Sequence, residues 1–158
     1  MNVNVFEALV NPVLIVPIIS WLIAQVLKFI INALMNKGLS FSRLVGDGGM
    51  PSAHSATVFS LACMCGFYSG FGSVEFALAA IFAVVVMHDA TGVRRETGKQ
   101  AVAIKSMVQV INEFLVEKDD EIKTEKLKVL VGHTHLQVIC GALLGLIISL
   151  VYYFIFVL

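Results

Sequence analysis

The four histidines of this chain, His54, His88, His133 and His135, fall in three short polar segments: GDGGMPSAHSAT (46–57), HDATGVRRETGKQA (88–101) and GHTHLQV (132–138). The middle segment adds Arg94, Arg95 and Lys99. Imidazoles, cations and glycine-rich backbone together suit phosphoryl chemistry. An arginine fork grips phosphate oxygens in pairs, N–H groups at a helix N-terminus accept an anion, and an imidazole serves as nucleophile or general acid near neutral pH. Any one Lys or Arg beside an apolar helix is equally well explained as an interfacial anchor. The convergence of three segments is what lifts the chemical reading above that one. Cys63, Cys65 and Cys140 stand apart from the set: they lie within apolar stretches, without disulfide or zinc spacing, and read as small core residues. Neither a metal nor a cofactor is expected.

The elements that must position these segments are membrane helices. Hydrophobic residues make up 58% of the 158 and the mean hydropathy is +0.90, well beyond soluble domains. Eleven Lys and Arg balance eleven Asp and Glu, so charge points to no nucleic-acid partner. From Ala8 to Leu34 the chain is apolar apart from Asn11, Ser20, Gln25, Lys28 and Asn32, more than the ~20 residues a span requires. No Lys or Arg precedes Lys28 and no small-residue cleavage pattern follows this run, so a retained first span is expected rather than a cleaved signal peptide. Lys37 to His54 reads as loop. Apolar segments at Ser55 to Phe71 and Val74 to Met87, split by a turn at Gly72 and Ser73, predict a helical hairpin whose open ends, His54 and Asp89, share one face. Each is shorter than ~20 residues, so the hairpin crosses with little tilt, thins the bilayer or re-enters.

Ala101, Ile104, Val108, Ile111 and Leu115 recur at helical spacing and predict an amphipathic helix that lies at the interface or packs on the bundle. The mixed charges of EKDDEIKTEKLK (117–128) read as a solvated connection, and a last span runs from Leu136 to the C-terminus. Within it Gly141 and Gly145, four apart, would admit another helix closely. All eleven Lys and Arg lie between Lys28 and Lys128, and the connections carrying them are therefore expected in the cytoplasm, with both termini outside. The fold class expected is all-α, a polytopic membrane helical bundle of about four membrane helices plus one amphipathic helix, in one domain over residues 1–158.

The combination GGMPSAHSAT, GVRRETGKQA and GHTHLQV resembles the type 2 phosphatidic acid phosphatase and haloperoxidase superfamily, and more closely its divergent membrane branch. Pro51, Ser52, Ala53 and His54 match the superfamily's PSGH element, and His133, Val138 and Gly141 match its HxxxDVxxG element, over a resemblance spanning roughly Lys28 to Gly145. The resemblance implies hydrolysis through a phosphohistidine. His133 would attack phosphorus, and His54 would protonate the leaving oxygen. Ser52 and backbone N–H groups near Gly49 would hold the phosphate, while Lys28, Arg43 and Arg94 or Arg95 would neutralise it. The chain departs from the pattern in three places. Lys28 and Arg43 lack the superfamily's KxxxxxxRP spacing, no Arg stands just upstream of His133, and Gln137 occupies the place of the Asp that orients the nucleophile. An amide can orient an imidazole but supplies no charge, a task left to Asp89 if it reaches across. His135 competes with His133, although His133 alone has the spacing to Val138 and Gly141.

The leading expectation is a multi-pass membrane phosphatase of a bacterial plasma membrane. It would be a metal-independent phosphomonoesterase or diphosphatase acting on a lipid phosphate or diphosphate from the cytoplasmic side of the lipid bilayer. The alternative is a catalytically degenerate binder or transporter of lipid phosphate, which Gln137 favours. A structural membrane-assembly protein would account for the glycines and helices but not for the clustered His, Arg and PSAH.

Overall fold

A computed structural model describes residues 5–36, 49–115 and 132–158, and no strand occurs among them. A 3-10 turn at Val5–Val10 leads into α1 (Pro12–Asn36), followed by α2 (Ala53–Ser69), α3 (Val74–Thr91), α4 (Val93–Leu115) and α5 (His135–Phe156). Each helix start has a local cause. Asn11 accepts the Val13 N–H on Oδ1 at 2.9 Å, and Pro12 follows at the first helical position, where its missing N–H has no intrahelical use. Ser73 caps α3 by accepting the Phe76 N–H at 3.1 Å, after a turn that Gly70 enters at φ +90°. That turn makes α2 and α3 a hairpin.

Three stretches, Pro12–Leu34, Val74–Asn112 and His135–Phe156, are long and apolar enough to cross a membrane, and the protein is an integral membrane helical bundle. Large apolar side chains such as Leu14, Leu78, Ile81, Leu143 and Ile147 face outward, as a lipid solvent requires. The 17-residue α2 rises about 26 Å, slightly under the ~30 Å hydrocarbon core. It sits at the centre of the bundle against α1, α3 and α5. Phe67 and Tyr153 pack at 4.8 Å, Phe71 and Phe76 at 5.1 Å, and Tyr152 and Phe156 at 4.9 Å. These rings gather at the end opposite the histidines, as an interfacial aromatic belt does.

One boundary differs from the sequence expectation. The amphipathic helix starts at Val93, well before Ala101, so Arg94, Arg95 and Lys99 lie on α4 rather than in an extended connection. Gly92 explains the restart: its N–H closes α3 on the His88 carbonyl at 2.9 Å while its own carbonyl accepts the Glu96 N–H at 3.0 Å. A Lys99–Glu96 pair at 2.6 Å then supports the new helix one turn on.

The centre of the bundle is a seam of small residues. Ser52, Ala56 and Ser60 of α2 meet Gly141, Gly145 and Ser149 of α5, each series stepping by four residues in the same direction, so the two helices run parallel. A Cβ on Gly141 would collide with the Ser52 carbonyl oxygen, and one on Gly145 with the Ala56 carbonyl oxygen. Close backbone approach of this kind is how membrane helices gain packing energy without a hydrophobic drive between them. Deeper along the seam the Ser60 and Ser149 hydroxyls pair at 2.8 Å. The Ser149 hydroxyl also reaches the Gly145 carbonyl at 2.8 Å. Gly145→Leu should therefore lower the thermal unfolding midpoint in detergent more than Ser149→Ala. The expected costs are about 1–3 kcal/mol for overpacking against about 0.6 kcal/mol for an interhelical hydrogen bond. Midpoints in the reverse order would mean that the backbones are not in contact.

Candidate functional site

Because α2 and α5 run parallel, both begin at the same end of the bundle. Ser52 is the N-cap of α2 and His54 lies in its first turn, while His133 immediately precedes the α5 N-cap Thr134 and Gln137 lies in the first turn of α5. A backbone bond joins them directly: the Ser52 N–H donates to the Gln137 carbonyl at 3.0 Å. The His54 and His133 rings converge to 6.3 Å between centroids, tilted by 60°. His133 is buried and its N–H donates to the Ala90 carbonyl of α3 at 3.1 Å, so three helices locate it.

Gln137 bears on the tautomer of His133. Its Oε1 faces the Thr134 backbone N–H at 3.0 Å, and because that group can only donate, the atom facing it is the amide oxygen. The same oxygen lies 3.2 Å from His133 Nδ1. Nδ1 must then carry a proton, which in the neutral imidazole leaves Nε2 with its lone pair. Thr134 completes the arrangement as N-cap of α5, its Oγ1 accepting the Gln137 N–H at 3.4 Å in a reciprocal capping box. The pattern T-x-x-Q (134–137) signals this box in the sequence, but there Gln137 reads only as a missing carboxylate. Nothing in the sequence marks the Ala90 carbonyl or the Ser52 N–H as partners.

Ser52 is fully buried and acts as the N-cap of α2, accepting from the Ser55 N–H at 3.4 Å and the Ser55 hydroxyl at 3.0 Å. Of the N–H groups that a helix start leaves without intrahelical partners, Ser52 donates to Gln137 and Ser55 is capped. Among the described residues, the Ala53 and His54 N–H groups, at the positive end of the α2 dipole, are the two not engaged by a cap or by Gln137. Lys28, 4% exposed on α1, approaches the same end. Gly49 lies over its side chain with φ +94°, a conformation that disfavours other residues, and a Cβ there would come within 3.1 Å of Lys28 Cγ and 3.7 Å of Asn32 Nδ2. Asn32 thus stands with Lys28 beneath the PSAH loop, although sequence reasoning did not single it out.

The structure thus brings together Lys28, Gly49, Ser52, His54, His133 and Gln137. Asp89 is half-buried in the last turn of α3, one residue before the carbonyl that holds His133. Arg94 and Arg95 occupy the first turn of α4, and Arg43 lies outside the described residues. Among the described residues no group of three or more His, Cys, Asp or Glu side chains could hold a metal ion.

Two comparisons with known proteins bear on this arrangement. The chain is 40% identical over 151 residues to YuiD of Bacillus subtilis, named an uncharacterized membrane protein, with 92% of this chain and 96% of the relative covered. No solved structure matches it. The model of the Divergent PAP2 family matches residues 9–148, and with them all six residues that meet at the polar end of the bundle. The chain belongs to the divergent PAP2 family.

Proposed function

We propose that this protein is a membrane phosphohydrolase that cleaves a lipid phosphate or diphosphate through a phosphohistidine on His133. The observation that carries the reading is the Thr134 N–H, Gln137 Oε1, His133 Nδ1 chain, which leaves Nε2 unprotonated beside a second imidazole. The Nε2 lone pair attacks phosphorus, the bond from phosphorus to the leaving oxygen breaks, and His54 delivers its ring proton to that oxygen. Water then attacks the phosphohistidine, His54 takes up its proton, and phosphate departs with His133 restored. The N–H groups of Ala53 and His54, the α2 dipole and the Lys28 ammonium offset the phosphoryl charge, which is greatest in the transition state. Arg94 and Arg95, in the first turn of α4, and Arg43 are further candidates for that role.

Gln137 supports a second reading, a lipid-phosphate binder. An amide oxygen orients His133, but unlike a carboxylate it carries no charge to stabilise the cationic phosphoimidazole. In either reading the site faces the cytoplasm, because no Lys or Arg occurs before Lys28, in the turn at residues 72 and 73, or after Lys128, at the opposite end of the bundle.

Phosphate release from phosphatidic acid and from isoprenyl diphosphate, with acid-labile trapping of a phosphoryl-enzyme, distinguishes the two. His133→Ala should reduce release by at least about 1,000-fold and abolish the trapped species. Protection of the variant by phosphate against thermal unfolding should persist, since the cationic pocket remains. Release that survives the substitution would transfer the nucleophile's role to His135, and no release from the wild type would favour the binder. Gln137→Glu should raise the pH at which His133 titrates in an NMR titration, because an adjacent carboxylate favours the imidazolium. An unmoved titration would mean that residue 137 does not face the ring in solution. In a cysteine-free background, a cysteine at Lys99 should react with impermeant thiol reagents only from the cytoplasmic side of oriented vesicles. Labelling from outside would move the site to the other leaflet.

A further inference from the structure

Beyond the contact between the His133 N–H and the Ala90 carbonyl, α3 and α5 separate and leave a groove of about 510 Å³ backed by α2. A helical stripe on each side lines it, running from His135 to Leu146 on α5 and from Thr91 and His88 to Val84 on α3. Its polar lining residues, His88, Thr91 and His135, all stand at the histidine end, and the remainder of the lining is apolar. The Thr91 hydroxyl is engaged with the Met87 and His88 carbonyls at 3.2 and 3.1 Å, whereas both imidazoles are exposed.

Three features identify the occupant. The rise from His135 to Leu146 is about 16 Å, close to half of the ~30 Å hydrocarbon core, so the groove is one leaflet deep. Its walls continue the lipid-facing surface, with Val84 59% and Leu143 53% exposed, so a chain enters sideways from the bilayer. At the mouth two imidazoles can donate hydrogen bonds to anionic oxygens, and His135 is separated from His133 by the α5 N-cap alone.

We propose that this groove holds the hydrocarbon chain of a single lipid phosphate from the adjoining leaflet, while His88 and His135 hold its headgroup next to His133. The inference rests on the phosphohydrolase reading for what happens to the headgroup, but chain binding can be measured without turnover. The probe is phosphatidic acid carrying a diazirine in its acyl chain, photolysed with the full-length protein in mixed micelles. Labelling should fall on Ala142 and Leu146, and unlabelled phosphatidic acid should compete better than phosphatidylcholine of the same chain length. Ala142→Trp fills the groove from α5 and Val84→Trp narrows it from α3. Each should reduce that labelling by about tenfold or more, the equivalent of about two methylenes removed from contact, and whichever variant keeps the wild-type unfolding midpoint decides. The double substitution His88→Ala with His135→Ala should erase the preference for phosphatidic acid. Equal competition by phosphatidylcholine in the wild type would make the groove a crevice for ordinary bilayer lipid and overturn the proposal. Labelling absent from Ala142 and Leu146, or unchanged in the folded Trp variants, would overturn it as well. In parallel, the ratio of phosphate release from long-chain over short-chain phosphatidic acid should fall in the same variants. Absence of release from either substrate by the wild type would sink the hydrolase reading, with the labelling still deciding the groove.

Discussion

The backbone contact between α2 and α5 is the constraint on which the rest of the structure depends. Gly141 and Gly145 expose backbone where Ser52 and Ala56 present carbonyl oxygens, and the helices approach until a methyl group would no longer fit between them. At that separation the Ser52 N–H reaches the Gln137 carbonyl and the Ser60 hydroxyl reaches Ser149. Both ends of the seam are then pinned by hydrogen bonds, which in hydrocarbon have no water to replace them. Widening the seam would separate His54 from His133, because one lies in the first turn of α2 and the other directly before the N-cap of α5.

Parallel alignment also has an electrostatic consequence. Two N-termini with positive partial charge open at one end of the bundle, and Lys28 joins them from α1. The negative ends of α1 and α3 lie at this end too, and α3 uses one of its terminal carbonyls to hold the His133 N–H. At the α2 start the Ala53 and His54 N–H groups point along the positive end of the helix next to a buried cation. That environment favours an anion while holding two imidazoles in place, and it follows from helix direction as much as from residue type.

Gln137 shows how one side chain can serve folding and chemistry together. Its oxygen closes the α5 capping box and in the same position accepts from His133 Nδ1. Orientation and tautomer of the imidazole are therefore tied to the stability of a helix start. Separating positioning from charge in this way is the physical basis for weighing hydrolase against binder, since positioning is retained and the charge is not.

The sequence by itself determined the helical membrane architecture and the family motif, and the six residues that meet at the polar end are among the ten candidates it offered. Apolar run length, small-residue spacing and cap residues are local signals, and the chain carries them in full: Asn11 with Pro12 opens α1, Ser73 opens α3, and Gly141 with Gly145 announces a close neighbour. Periodicity placed the amphipathic helix but missed its start, because the apolar spacing begins only at Ala101, while Gly92 joins α3 to α4 with hydrogen bonds on both sides. Only the tertiary structure decided that α5's neighbour is α2, that Gly49 closes over Lys28, and that Ala90 and Gln137 offer carbonyls to the His133 and Ser52 N–H groups. Backbone donors and acceptors are the same at every residue, so their partners leave no trace in residue type. The groove beside α3 was equally invisible, since it is the space left where two helices diverge, and that depends on the angle of packing rather than on the pattern along either helix.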